Sequence, residues 1–269
     1  MKYTGVVHMH STYSYDGKVS LPDLKQLLMK EGISFACMTE HSNEMTKESA
    51  THFVEECRRL SDESFVFVPG FEVPYKDPKV FHVLMIGATE FVCAYAHDAQ
   101  ALRAWASCAG LVVLPHPVRN KFQYDETLLD IADGVEIWNQ QYDGKCVPRT
   151  GSYKLLQTLR KEKPSLFATG ALDFHRVEHL TYPRYQIEVD AVSEASIIDA
   201  LVKAKCTFGN HDHTINPTGD WEEANSVMVR VSSIASTTII YISKKISKGL
   251  AHLGLRFPKS IKRAIRSRV

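Results

Sequence analysis

Residues 3–10 read Tyr3-Thr4-Gly5-Val6-Val7-His8-Met9-His10, a short β-prone run that closes on two histidines one residue apart. Side chains on an extended backbone alternate with period two, so both imidazoles point the same way and can reach one cation. The pattern recurs along the chain. Ser11-Thr12-Tyr13-Ser14-Tyr15-Asp16-Gly17 supplies turn chemistry and, in Asp16, a hard oxygen ligand. Residues 33–38 form an apolar run ending in Thr39-Glu40-His41, and 65–68 lead into Pro69-Gly70-Phe71-Glu72. Residues 80–86 carry His82, 111–114 end in Pro115-His116-Pro117, and 166–168 lead through Thr169-Gly170-Ala171-Leu172 to Asp173-Phe174-His175.

None of these decides alone. A lone histidine beside an apolar run is more often an ordinary core or surface residue, and pairs at spacing two arise by chance among 12 histidines. Recurrence carries the weight: five strand-like runs end in a ligand type, as the C-terminal face of a β/α barrel would require. Helix-like stretches fall between them. Ser20-Leu21-Pro22-Asp23 reads as a cap with proline in the first turn, followed by Leu24, Leu27 and Leu28 on one face and Gly32 as a stop. Residues 47–60, 98–109, 153–161 and 193–205 read similarly, which favours a parallel β/α architecture. At 269 residues and 44% apolar content, one main domain with an appendage is expected.

The order His-x-His, Ser-x-x-Ser-x-Asp-Gly, Thr-Glu-His, Gly-Phe-Glu, His-Val-Leu-x-x-Gly, His-Pro-x-Arg and a late Asp-x-His resembles the PHP superfamily, the polymerase and histidinol phosphatase domains, from residue 3 to about 215. The resemblance implies a distorted seven-stranded (β/α) barrel of TIM-like type. It also implies two or three divalent ions, zinc, manganese or iron, that hydrolyse phosphate esters with a metal-activated water. Carried over by residue, it makes His8, His10, Glu72 and Asp173 ligands of a first ion, and Asp16, His41 and His175 ligands of a second. His82 and His116 would hold a third, shared with Glu72 as a bridging carboxylate. Two positions depart from the family pattern: Glu40 stands where Asp is commoner, and Tyr15 where many members place a ligand histidine.

Arg119, three residues after His116, is the first candidate for a phosphate contact, because a guanidinium fork matches phosphate oxygens. Arg119 and Asp173 are therefore the expected catalytic residues, with Arg149 and Arg176 as weaker candidates for the phosphate. Glu136, Trp138 and Asn139 are placed to face the site from a strand end, Trp138 as a wall, and the polar segment 140–151 is expected to be a loop bordering the substrate. With nine ligand positions filled, His211-Asp212-His213 is left as a loop, and His52, His97, His179 and His252 as ordinary. Gly5, Gly70 and Gly170 are expected to be close-approach positions beside the site. The expected substrate is a phosphomonoester or small nucleotide-like molecule. Alternative readings are an inactive PHP scaffold, a metal-dependent amidohydrolase, and a protein-tyrosine phosphatase linked to polysaccharide synthesis.

Charge divides the chain more sharply than the net +1 suggests. Residues 221–269 hold ten Lys or Arg against two Glu (+8), while 1–220 carry 22 basic against 29 acidic residues (−7). Residues 1–220 are accordingly read as the phosphoesterase barrel and 221–269 as a basic amphipathic helical segment. Ile239, Ile242, Ile246, Leu250, Leu253 and Phe257 recur there at helical spacing, with Lys244, Lys245, Lys248 and the run 259–268 supplying basic residues. Such a segment packs on the barrel, lies on an anionic membrane surface, or docks a partner; nucleic acid carries the least weight. The least charged window, 231–243, is too short to span a bilayer and is interrupted by Ser and Thr. The six cysteines, Cys37, Cys57, Cys93, Cys108, Cys146 and Cys206, show no Cys-x-x-Cys, and Met1-Lys2-Tyr3 runs straight into the first strand. The expectation is a cytoplasmic protein without a secretion signal, peripheral at the inner membrane surface if the tail docks there.

Overall fold

The computed structural model of the protein describes residues 1–76 and 81–252. Strand β1 (Lys2–Met9) is buried from Gly5 onward and leads through a tight loop to helix α1 (Leu21–Lys30). The Ser20 hydroxyl accepts from the Asp23 N–H, Pro22 occupies the first turn, and Leu21, Leu24 and Leu28 form the buried face. Strands β2 (Phe35–Met38) and β3 (Glu40–His41) are one run interrupted at Thr39, followed by α2 (Lys47–Leu60). A reciprocal Thr46–Ser49 cap starts α2, which buries Ala50, Phe53, Val54 and Cys57. Strands β4 (Val66–Val68) and β5 (Gly70–Tyr75) are likewise one run, broken only at Pro69, and β6 (Phe81–Ile86) follows. Val80, expected to open that strand, lies outside the described residues.

Next come α3 (Ala99–Cys108), β7 (Leu111–Leu114), α4 (Glu126–Ile131) and β8 (Gly134–Asn139). Helix α5 (Gln140–Asp143) stands where a loop was expected, because the Asn139 side chain accepts from the Gln141 N–H and caps one helical turn. Then follow α6 (Thr150–Leu159), β9 (Phe167–Ala171), β10 (Arg184–Glu188), α7 (Glu194–Val202), β11 (Cys206–Gly209), β12 (Thr214–Ile215) and α8 (Val227–His252). Phe53, Phe71, Phe91 and Trp105 interlock at ring-centroid distances of 5.0–6.1 Å in the core between α2, β5 and α3.

The fold is mixed α/β, with eight α-helices among the described residues and two six-stranded sheets, ordered β12-β11-β10-β1-β2-β4 and β3-β5-β6-β7-β8-β9. The uniformly parallel arrangement expected from strand–helix alternation is corrected around β6 and along the β1-β10-β11-β12 edge, where β10–β11 and β11–β12 are antiparallel as well. Strand β6 runs antiparallel to both β5 and β7, and β10 runs antiparallel to β1. The connection from Tyr75 to Phe81 is too short for the dozen or more residues of a parallel crossover, so the chain must turn back. That reversal puts His82 at the start of β6, opposite Pro74 and beside Glu72. The two sheets are joined where their runs pass from one to the other, at Thr39 and Pro69. They also meet where the Leu172 N–H donates to the Val7 carbonyl (3.1 Å) and the His10 N–H to the Phe174 carbonyl (2.9 Å).

The three close-approach glycines serve the core more than the site. A Cβ on Gly5 would overlap the Phe35 ring and one on Gly170 would meet Phe208 and Pro183, whereas at Gly70 it would stand 2.7 Å from the Met38 and Met85 carbonyl oxygens. Beyond residue 220, Trp221, Ala224 and Val229 join the hydrophobic core. Of the expected apolar stripe, Leu253 and Phe257, and with them the basic run 259–268, lie outside the described residues. No helix among the described residues is long and apolar enough to cross a membrane.

Because the atoms crowding Gly70 are backbone, they cannot swing aside. Gly70→Ala is expected to destabilise the protein by about 1–3 kcal/mol, read as a lowered urea midpoint with an unchanged slope.

Candidate metal centre

Glu72 stands on β5 opposite His41 of β3, and its side chain is buried at the centre of a ring of histidines. Its Oε2 lies 3.3 Å from each of His8 Nε2, His10 Nε2 and His41 Nδ1. Its Oε1 contacts His82 Nδ1 and lies 3.0 Å from His116 Nε2. Asp173 approaches from the far side, with Oδ1 3.6 Å from His8 Nε2, 3.9 Å from His10 Nε2 and 3.5 Å from His175 Nδ1. Asp16 closes the outer rim, its two oxygens 3.1 Å from His175 Nε2 and 3.6 Å from His41 Nε2. All nine residues singled out as ligands thus occupy one cluster.

The grouping differs from that implied by the resemblance. Ligand atoms lie together in four sets: His8, His10 and Glu72; His8, His116 and Asp173; His41, Glu72 and His82; and His10, His41 and His175. His116 therefore stands with His8 and Asp173, and His10 bridges the inner and outer groups.

The backbone is bent to achieve this convergence. His8, His116 and Asp173 all have positive φ, at 65°, 31° and 50°, a region that non-glycine residues rarely adopt and that concentrates at functional sites. At His8 the register with β2 slips between Val7 and Met9. The His8–His10 pair therefore converges through a bulge, with ring centroids 5.3 Å apart, instead of by regular period-two alternation.

Hydrogen bonds to the remaining ring nitrogens fix which atom faces the centre. The Nδ1 of His8 is 2.7 Å from Glu136 Oε1, and a carboxylate only accepts, so Nδ1 carries the proton and Nε2 is aimed at Glu72 and Asp173. The other oxygen of Glu136 accepts from the His116 N–H (2.7 Å) and the Asn139 amide (2.9 Å). Ser14 Oγ gives its proton to Glu40 and accepts from the His41 N–H (2.9 Å). Its remaining lone pair takes the Nδ1–H of His10 at 3.1 Å, so His10 Nε2 presents a lone pair inward. That nitrogen is buried without a hydrogen-bond partner, as is Asp16 Oδ1.

Charge follows the same geometry. Burial, reinforced by His41, lowers the His10 pKa to about 3, leaving a neutral ring. His8 is also desolvated, but Glu136 and Asp173 outweigh burial and raise its pKa well above the ordinary value. Burial would raise the carboxylates, yet His82 and His41 hold Glu72 well below its usual range, and His8 and His175 do the same for Asp173. Imidazole lone pairs and ionised carboxylate oxygens crowding one buried space are a donor set that fits divalent transition-metal ions.

Several supporting residues lack a sequence signal of their own. Glu40 is fully buried, and its Oε1 accepts from both the Ser11 N–H (2.8 Å) and hydroxyl (2.6 Å), so its length spans to the loop that carries Asp16. Ser11 and Ser14 of the serine motif are thereby tied to Glu40. His179, read as ordinary, accepts the His175 N–H at 3.1 Å. Glu136 was legible as the lone charge in an apolar run. Trp138 forms no wall: it is fully buried and donates to the Gly144 carbonyl. Arg119 is half-buried with Nη1 3.3 Å from His82 Nδ1, at the edge of the cluster. Arg149 is committed to Asp143 and the Tyr142 carbonyl, and Arg176 is exposed. His211 meets the Tyr182 hydroxyl and His213 meets Glu223, so both are engaged by neighbouring segments away from the cluster. Tyr15, the departure from the family pattern, stacks on the outer face of His41 at 5.1 Å.

A model of the PHP domain family matches residues 7–243. The chain belongs to the PHP domain family. Among curated proteins, a probable histidinol-phosphatase of Thermotoga maritima is 31% identical over 87 residues, covering 30% of this chain and 37% of the relative. Among solved structures, a two-domain protein containing a predicted PHP-like metal-dependent phosphoesterase, from Bacteroides vulgatus, aligns with a TM-score of 0.57 at 16% identity, over 80% of this chain and 66% of that one. A lesion-specific endonuclease from Pyrococcus furiosus aligns with a TM-score of 0.52 at 15% identity, over 76% and 56%. The chain thus spans from about a third to two thirds of the length of these relatives.

If Glu136 sets the orientation of His8, Glu136→Gln keeps the shape but weakens that hold. Metal affinity, read by competition with a chromogenic chelator, is expected to fall about 10–100-fold while the melting temperature of the chelated protein changes little.

Proposed function

We propose that the protein is a metal-dependent phosphoesterase that hydrolyses a phosphomonoester or small nucleotide-like substrate. The observation that carries this reading is the convergence of five imidazoles on the two oxygens of Glu72, with Asp173 and Asp16 completing the ring. We assign His8, His10, Asp16, His41, Glu72, His82, His116, Asp173 and His175 as ligands of two or three ions, with Glu72 bridging. Zinc, manganese and iron all suit such a mixed nitrogen and oxygen set. When bound, such ions lower the pKa of a water and polarise the phosphoryl oxygens.

The chain's own residues supply position and charge. Glu136 and Ser14 hold His8 and His10 in the tautomers that present Nε2 inward. Glu40 fixes the loop of Asp16, and His179 fixes the backbone of His175. We assign Arg119, whose Nη1 lies 3.3 Å from His82 Nδ1, to grip the phosphate oxygens, with the Tyr15 ring stacked on His41 and the Tyr142 ring 5.4 Å from His116 beside the cluster. Membership of the PHP family and the phosphatase and endonuclease names of its relatives favour phosphate-ester chemistry over amide hydrolysis.

The architecture is read in the same way, as one distorted seven-stranded (β/α) barrel. In support, β1, the β2/β3 run, the β4/β5 run, β6, β7, β8 and β9 are consecutive neighbours, and the Val7–Leu172 bond and the Met9–Phe174 bridge lead from β9 back to β1.

Elemental analysis of protein purified without chelator is expected to give more than one transition metal per chain, with hydrolysis of p-nitrophenyl phosphate abolished in His10→Ala and Asp173→Ala while circular dichroism is retained. Stoichiometry near zero after growth in metal-supplemented medium refutes the site, and full metal loading without turnover of any phosphorylated substrate favours the scaffold reading. Arg119→Lys keeps the charge but loses the fork. A drop of about 10–100-fold in kcat/KM is expected if Arg119 grips the phosphate, as loss of a charge-assisted hydrogen bond predicts, and unchanged kinetics return it to the surface.

A further inference from the structure

Helix α8 packs against the protein with its polar face. Val229, Ser233 and Ser236 are buried, and Thr237, Ile240 and Ser243 are half-buried on the same side. The opposite side is largely apolar and open to solvent: Val227, Met228, Val231, Ile234, Ile239, Tyr241, Ile242 and Ile246 are 42–81% exposed, with Thr238 and Lys245 exposed among them. At 100° per residue these eight fall within an arc of roughly 160°, sustained for about 30 Å along the helix axis. A terminal helix that merely covers the barrel would turn this stripe inward.

Charge identifies what the stripe fits. From Val227 to His252 there is no acidic residue, while Arg230, Lys244, Lys245 and Lys248 are all basic, on a chain whose first 220 residues carry −7. Lys245 is exposed inside the arc, where its amine lies 5.2 Å over the Tyr241 ring, and Lys248 is exposed about 20° outside it; both have stems long enough to carry the charge past the apolar side chains. A second copy of the same helix would oppose basic residues to basic residues with no acid to pair them. A convex, largely apolar strip that carries Lys245 and is flanked by Lys248, with no acidic residue on the helix, matches a flat, negatively charged surface with an apolar interior.

We propose that the exposed face of α8 lies on an anionic lipid bilayer, in the plane of its headgroups. Val231, Ile234, Ile242 and Ile246 enter the acyl boundary, and Lys245 and Lys248 meet lipid phosphates. The placement does not depend on the reaction, but it has a consequence for the centre. Lys244 donates to the Gln141 carbonyl (2.8 Å) and stands 4.5 Å over the Tyr142 ring, and Tyr142 packs on His116. One aromatic ring therefore separates the docked helix from the histidine cluster.

The test is co-sedimentation of the full chain with vesicles of phosphatidylcholine alone or mixed with phosphatidylglycerol. The protein is expected to pellet with the anionic vesicles at low salt, to be released by high salt, and to remain in solution with the neutral ones. Ile234→Asp/Ile242→Asp should abolish pelleting, and Lys245→Gln/Lys248→Gln should weaken it roughly 30-fold, at about one kcal/mol per lysine near the surface. Both pairs are exposed and outside the histidine cluster, so metal content should be unchanged. The proposal is overturned if the wild type ignores anionic vesicles, or if both variants pellet like the wild type. It is equally overturned if, without lipid, analytical ultracentrifugation finds a dimer that Ile234→Asp/Ile242→Asp splits.

Discussion

A buried carboxylate facing five imidazoles constrains everything around it. Taking Glu72 out of water costs several kcal/mol even after relaxation, and the interior repays that only with counter-charge in good geometry. Cations or protons must therefore occupy the ring, and the neighbours decide which. His10 has Ser14 on its outer nitrogen and is driven neutral by burial and by His41, whereas His8 has Glu136 behind it and two carboxylates before it, which favour its protonated form. Proton release on metal binding is built into such a site.

That convergence shapes the backbone as well. Histidines and carboxylates arriving from β1, β3, β5, β6 and the segments after β7 and β9 cannot all reach one point from regular strand ends. The chain meets the demand with positive φ at His8, His116 and Asp173, a register slip in β1, and the reversal of β6. Strain of this kind persists only where surrounding structure over-determines it. Here the Leu172–Val7 and Phe174–His8 backbone bonds and the Glu136–His116 bond supply that restraint.

Local signals in the sequence were read where they are local in the structure. The cap at Ser20 and the helical stretches 47–60, 98–109 and 193–205 predict helices that form within a few residues of their expected bounds. The residues of the cluster were legible because their chemistry repeats. What escaped is set by contacts distant in sequence. Glu40 looks like a conservative exchange for aspartate until its extra length is seen to span 29 residues back to Ser11, and His179 until its ring is found under the His175 amide. The direction of β6 was available from its short connection to β5, a constraint that strand–helix counting overlooks.

The C-terminal helix shows a different limit. Periodicity from Ile239 to Phe257 identifies an amphipathic segment but not which side faces the protein, since an apolar stripe is ordinarily the buried one. The choice is settled by size. Ser233 and Ser236 let α8 approach closely enough for the Thr150 N–H to meet the Ser233 hydroxyl and for Lys244 to reach the Gln141 carbonyl, while Val229 and Ile240 are the apolar residues of 227–243 on that side. Small hydroxyl residues thus fix the helix to α5 and α6 through polar contacts, and the aliphatic side is left outward. An outward apolar face is unfavourable in water, so its persistence beside a run of lysines without acidic neighbours is best explained by a surface that removes it from water.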